Sequence, residues 1–153
     1  MNIFELDQRQ SAEAPHFVHL ELPNGKKLYL PNGEGGDDKS KPIGVEIVGA
    51  QSALGRKYRN RKAARIVLQQ KKNGNKDFSE EEIEQLVAEA ADANEGDIAD
   101  ICTGWRNFHD ENGPREFDRD ELRDLLRRNP SFSEQIEEAH MDAANFLTNG
   151  SGG

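Results

Sequence analysis

Between residues 51 and 76 the chain places 9 Lys/Arg and not one Asp or Glu. The preceding 50 residues carry 5 Lys/Arg against 8 Asp/Glu, and residues 77–153 carry 6 against 21. The local charges of -3, +9 and -15 give the net -9 of the 153 residues. So cationic a stretch makes a poor core, because an unpaired buried charge is strongly disfavoured. It needs solvent, an acidic partner, or the acidic half of its own chain.

Composition narrows the class further. The chain is 34% hydrophobic and 32% charged, which suits one domain with a small core. It has no run of ~18 apolar residues, so no transmembrane helix is expected. The start, MNIFELDQRQ, lacks a basic stretch followed by an apolar one, so no secretory signal is expected. Cys102 is the only cysteine, which excludes an internal disulfide and a cysteine zinc cluster. A reducing compartment fits best.

Residues 17–50 read as a small antiparallel sheet of about three strands. Val18, Leu20 and Leu22 alternate with His19 and Glu21. Lys27-Leu28-Tyr29-Leu30 follows Pro23-Asn24-Gly25, and Asn-Gly between two such runs signals a hairpin. Gly44 to Gly49 reads as the third strand. The breaker-rich stretch 31–42 reads as a flexible loop. LPNG at 22–25 and again at 30–33 reads as two turns, because nothing else recurs with it.

From residue 51 the periodicity turns helical. A basic helix is expected over 52–72, with Leu54 and Tyr58 at i, i+4 and Ile66, Val67 and Leu68 beyond, stopped by Asn73-Gly74-Asn75. Ser79 with Glu82 forms a capping box for the next helix, whose expected buried face is Ile83, Leu86, Val87, Ala90 and Ala91. Asn94-Glu95-Gly96 is a point of break or bend. Ile98, Ile101, Cys102 and Trp105 keep the spacing of one helix face, which extends the helical region to 108. His109 to Pro114 reads as a loop. Asp118 with Glu121 opens a short helix carrying Leu122, Leu125 and Leu126, and Asn129-Pro130 ends it. Ser131 with Glu134 caps the last helix, with Phe132, Ile136, Ala139, Ala143, Phe146 and Leu147 on its apolar side. The fold class is therefore α+β: a small sheet, then four or five helices. The expected limits are a flexible N-terminus at 1–16, one domain at 17–147 and a flexible Gly-rich tail at 148–153.

No catalytic, cofactor or metal constellation emerges. Asp110 to Glu121 superficially resembles a calcium loop. It carries Arg115 where the sharp-turn glycine belongs, and Pro114 at a ligand position. His16, His19, His109 and His140 do not pair at metal spacing, since i, i+3 on a strand points to opposite faces. Nucleotide-loop and zinc-protease motifs are missing. The many carboxylates read as a solvated acidic surface, and Cys102 as a small core residue. Trp105 reads as core, or as an interface anchor if exposed.

The basic helix allows three readings. Arg56, Lys57, Arg59, Arg61, Lys62 and Arg65 surround much of its circumference, with only Tyr58 interleaved. It could bind an acidic protein or assemble with itself, pair within its own chain, or bind nucleic acid. A sequence pI near 5.0 disfavours the last, because acids elsewhere repel phosphate.

The order of three segments is informative. These are GVEIVGAQSALGRKYRNRKAAR at 44–65, ADICTGWRNF at 99–108 and FDRDELRDLLRRNPSFSEQIEEAHMDAANFL at 117–147. Together they resemble the tail assembly chaperones of long-tailed, lambdoid-type bacteriophages. The segment 31–42 looks like an insertion relative to that family. The resemblance implies a non-enzymatic protein without cofactor or metal. It implies binding to the tape measure protein in the host cell cytoplasm, until tail tube protein polymerises around that client, and absence from the mature virion. It also implies a longer frameshifted form in many such phages, to which a Gly-rich end suits a junction. On this reading helix 52–72 and the region 79–108 build the contact face. Tyr58 and Trp105 are its anchors, and Arg56, Arg59, Arg61 and Lys62 its charges. The competing reading is a nucleic-acid-associated regulator using helix 52–72.

Overall fold

The computed structural model describes residues 2–73 and 78–146. After a 3-10 turn at Ile3–Glu5 come α1 (Gln8–Glu13), β1 (His16–His19), β2 (Tyr29–Pro31), β3 (Asp37–Pro42) and β4 (Gly44–Ile47). Two long helices follow, α2 (Ala53–Asn73) and α3 (Glu80–Asp100). Then come β5 (Cys102–Arg106), β6 (His109–Asp110), β7 (Gly113–Pro114), α4 (Arg119–Arg128), α5 (Pro130–Met141) and a 3-10 turn at Ala143–Phe146. Five α-helices with short antiparallel strands make this an α+β fold.

The main sheet has the order β1-β4-β5, antiparallel throughout. Val45 lies opposite Val18 on one side and Trp105 on the other. Val45 and Ile47 are fully buried, whereas Glu46 between them points to the other face and pairs with Arg106. This period-2 alternation is what a half-buried sheet requires. Ile98 and the cap residue Ile101 of α3, Leu122 and Leu126 of α4 and Ile136 of α5 close over the buried face. Each such side chain contributes roughly 1.5–3 kcal/mol by leaving water.

Local signals read in the sequence recur here. Ser79 accepts from the Glu82 N–H at 3.2 Å, and Asp118 from the N–H groups of Asp120 and Glu121, so both helices start at capping residues. The first LPNG is a three-residue turn. Leu22 N–H donates to Lys26 O at 2.8 Å, and the positive φ, +85°, falls on Gly25. The second LPNG turns at Asn32-Gly33, where Gly33 has φ +82°.

Several expectations need correction. His109 to Pro114 is not a loop: β6 and β7 pair antiparallel there, with Asp110 opposite Gly113. The segment 31–42 is not a loop: β2 and β3 form a two-stranded sheet, its turn held by Asn32 Oδ1, which accepts from Glu34 and Gly36 N–H. A strand reading DDKSKP hides from a hydrophobic-pattern argument because most of it is exposed. Residues 1–16 are not simply a flexible end. Asp7 caps α1, Ala12 is buried, and its carbonyl accepts from Gly49 N–H at 2.8 Å. The helix expected to reach 108 stops at Asp100, with Ile101 as its cap residue. Cys102 and Trp105 belong to a strand, whose pairing partner, β4, lies more than fifty residues away in sequence. Gly96 does not break α3; it is buried, and its carbonyl accepts from Arg119 at 2.9 Å where α4 crosses. Finally, α5 begins at Pro130, whose ring suits the first helical position, rather than after a Ser131 cap. The expected tail at 148–153, Leu147 and the stop at Gly74-Asn75 lie outside the described residues.

Candidate partner-binding site

Trp105 leaves the end of β5 half-exposed, on the floor of an open groove. Its indole Nε1–H donates to the Arg115 carbonyl at 2.8 Å. Phe108 stacks on it at 4.4 Å between ring centroids, and Phe117 meets it edge-on at 5.2 Å. Asn107 makes this possible. It is the one described non-glycine residue with positive φ, +62°, and its Nδ2 donates to Pro42 O at 2.7 Å. The kink reverses the chain so that Phe108 folds back over Trp105. Backbone strain of this kind persists only where its surroundings fix it, and such positions cluster at functional sites.

The groove encloses about 530 Å³. Leu20, Leu28 and Ile43 line its sheet side, Leu125 and Phe132 its helical side. Glu121, Asp124 and Arg128 form a charged rim, joined by His109. An apolar floor with a few polar groups at the edge is the usual form of a binding cleft. Aromatic rings held by neighbours lose little entropy when a partner arrives.

The basic helix occupies a different part of the fold. Tyr58 is 3% exposed, so it is a core residue rather than an exposed anchor. Its ring meets His140 edge-on at 5.3 Å and its hydroxyl donates to Glu137 on α5. Burial, followed by the Glu137 carboxylate, pushes the Tyr58 pKa far up. Lys62 also reaches Glu137, at 2.8 Å, and lies 4.8 Å over the Tyr58 ring. Burial works to raise Glu137, but Lys62 and Tyr58 outweigh it and hold the carboxyl below its ordinary range. Arg61 pairs with Asp100 at 2.6 Å and Asp97 at 3.4 Å, and Arg65 also meets Asp97. Asp100 is likewise lowered, because Arg119 and Arg61 overcome the opposing effect of burial. Thus Arg61, Lys62 and Arg65 pair within the chain, Arg56 is half-buried, and Arg59 is exposed. The candidate anchors are not brought together: Trp105 sits in the groove and Tyr58 in the core against α5.

The other sequence candidates have structural roles. In the calcium-loop-like stretch the cation is a side chain: the Arg115 guanidinium bridges Asp110, at 2.8 Å, and Glu121, the first and last carboxylates of the pattern. Arg115 holds Asp110 below its ordinary range. His16 packs edge-on against Phe146, and His19 Nε2–H reaches Leu28 O at 2.6 Å. Cys102 is buried, its thiol pushed far up by desolvation. Among the described residues no cluster of three or more His, Cys, Asp or Glu could hold a metal ion. No described helix is long and apolar enough to cross a membrane. Comparison with protein-family models, curated proteins and solved structures finds no match.

Sequence reasoning missed most of the groove. Leu28 reads as part of a strand run, Leu125 and Phe132 as the apolar sides of two helices, and no pattern marks Ile43; the four meet only through tertiary packing. The one local signal was Trp105 followed at once by Arg106, Asn107 and Phe108, where Asn tolerates positive φ.

Proposed function

We propose that this chain is a non-enzymatic binding protein that shields an apolar segment of a partner, acting as a tail assembly chaperone of a long-tailed bacteriophage. Its client is the phage tape measure protein, held in the host cell cytoplasm until tail tube protein replaces it. The observation that carries this reading is the open, aromatic-floored groove around Trp105. Such a groove suits an amphipathic helix, which lays its apolar face on the floor and its polar side along the rim. The segments 44–65, 99–108 and 117–147 supply the family resemblance that names the client.

The basic helix contributes less than its charge suggests. Among the described residues, ion pairs with Asp97, Asp100 and Glu137 take up Arg61, Lys62 and Arg65, which leaves Lys57 and Arg59 as the exposed cations outside an ion pair near the fold's body. That weakens the nucleic-acid reading, which needs a continuous cationic footprint.

Co-expression tests the proposal. The tape measure protein should enter the soluble fraction with the intact chain, and far less with Trp105→Ala, while that variant keeps its circular dichroism spectrum. A client equally soluble without the chain ends the proposal. A salt-sensitive gel shift with nucleic acid would favour the regulator instead.

A further inference from the structure

We infer that the outer ends of α2 and α3 form an interface with the same helix pair of a second copy of this chain. The inference stands apart from the groove and its client. The two helices touch at their root, where Arg61 and Arg65 meet Asp97 and Asp100. Beyond the root, every residue from Ile66 to Lys71 is exposed, and of residues 80–90 only Leu86 is not. Ile83 and Val87, at 48% and 63% exposure, were expected to be a buried face, yet nothing in the described chain covers them. Ile66, Val67 and Leu68 are likewise uncovered on α2.

Two bare helical ends need a cover. Isolated helices shorter than ~12–15 residues are marginal in water, and most helical stability in proteins comes from packing an apolar face. Charge indicates what the cover is. The α3 end carries Glu80, Glu81, Glu82, Glu84 and Glu89 and no base. α2 carries no acid along its whole length, and Lys57, Arg59 and Lys71 are exposed on it. Among the described residues, none of those glutamates pairs with a cation of α2 within the same chain.

A second copy related by a two-fold axis lays its acidic α3 end along the basic α2 of the first, and the reverse, with the apolar residues between. Such an interface is self-complementary by symmetry, and four antiparallel helices form a bundle. A different partner would have to supply both a basic and an acidic face beside an apolar strip. Nucleic acid would meet the glutamates.

Sedimentation velocity of the full chain tests this. The intact chain should sediment at twice or more its 17.1 kDa mass, and lose mass as salt screens the charges. Ile66→Glu with Val87→Glu should return it to a single chain. Both sites are exposed in the single chain, so the near-ultraviolet circular dichroism of the core should not change. An intact chain that is monomeric at high micromolar concentration overturns the inference. So does a double variant that still associates, or an arm that associates only when another protein is added. The monomeric variant should still capture client through the groove, so failure here and failure of the proposed function are separable.

Discussion

The Tyr58 hydroxyl on α2 donates to the Glu137 carboxylate on α5, joining the root of the basic helix to the last helix of the core. A residue that looks like a surface aromatic within a cationic run is therefore a packing and hydrogen-bonding residue. Tyr58→Phe keeps the ring against His140 and removes only the hydroxyl. It should cost about 1–2 kcal/mol of stability in urea unfolding, with client capture unchanged. Tyr58→Ala should cost roughly 3–5 kcal/mol, because it opens a cavity as well.

Gly55 gives a test in which helix propensity and packing oppose each other. Alanine at a helical glycine ordinarily gains about 1 kcal/mol. Here a Cβ on Gly55 would stand 2.3 Å from the Gly49 carbonyl oxygen and 2.8 Å from that of Ala50. The first turn of α2 would have to lift off the segment after β4. Gly55→Ala should lower the melting temperature, with a net loss of about 1–3 kcal/mol. A rise would mean that the helix root sits further from Gly49 than the structure places it.

Arg59 and Arg61 separate surface charge from structural charge on one helix. Arg59 is exposed, whereas Arg61 is bound to Asp97 and Asp100. Arg61→Glu would face those two carboxylates and should lower stability by about 1 kcal/mol. Arg59→Glu should leave the unfolding midpoint unchanged. If the basic face takes part in capture, Arg59→Glu is the variant that weakens it without weakening the fold.

His140 sets the pH dependence near neutrality. Burial holds its pKa below the ordinary 6.5, aided by Arg59 and Lys62 and opposed by the Val48 carbonyl and Glu137. Its Nδ1–H donates to Val48 O at 2.6 Å, while Nε2 is buried with no acceptor for a second proton. The unfolded chain therefore binds that proton more readily than the folded one. The stability this contributes is complete above 6.5 and is lost as pH falls below it toward the folded value. Asp100 and Glu137 lose their contributions only at lower pH, because both are held below the ordinary carboxylate range. Urea midpoints should thus drop as pH falls below 6.5. His140→Asn, which retains an N–H for Val48, should flatten that drop.

The parts of this fold legible in the sequence are those set by near neighbours. The Ser79 and Asp118 caps, the turn at Gly25 and the buried leucines of α4 follow from residues within a few positions. The strand at Cys102–Arg106 does not, because its identity depends on β4, far back in the chain. Its Cys102 and Trp105 happen to continue the helical spacing of Ile98 and Ile101, so periodicity alone runs the helix too far. The polar strand Asp37–Pro42 fails for the opposite reason: with little to bury, it leaves no pattern. Trp105 was legible as a candidate anchor, but the groove around it was not, since its walls come from β2, the link before β4, α4 and α5. The charge block was legible as a feature needing acid. Which acids answer it, Asp97, Asp100 and Glu137, is a fact of tertiary packing.

Trp105 is the only tryptophan in the chain, so its emission reports on the groove alone. The most direct measurement is a fluorescence titration of the intact protein with a synthetic amphipathic helix from the tape measure protein. Docking of a client in the groove predicts a saturable blue shift as its apolar face covers the indole, little altered by moderate salt. An emission spectrum that stays unchanged while the peptide binds, or a peptide that does not bind at all, would contradict it.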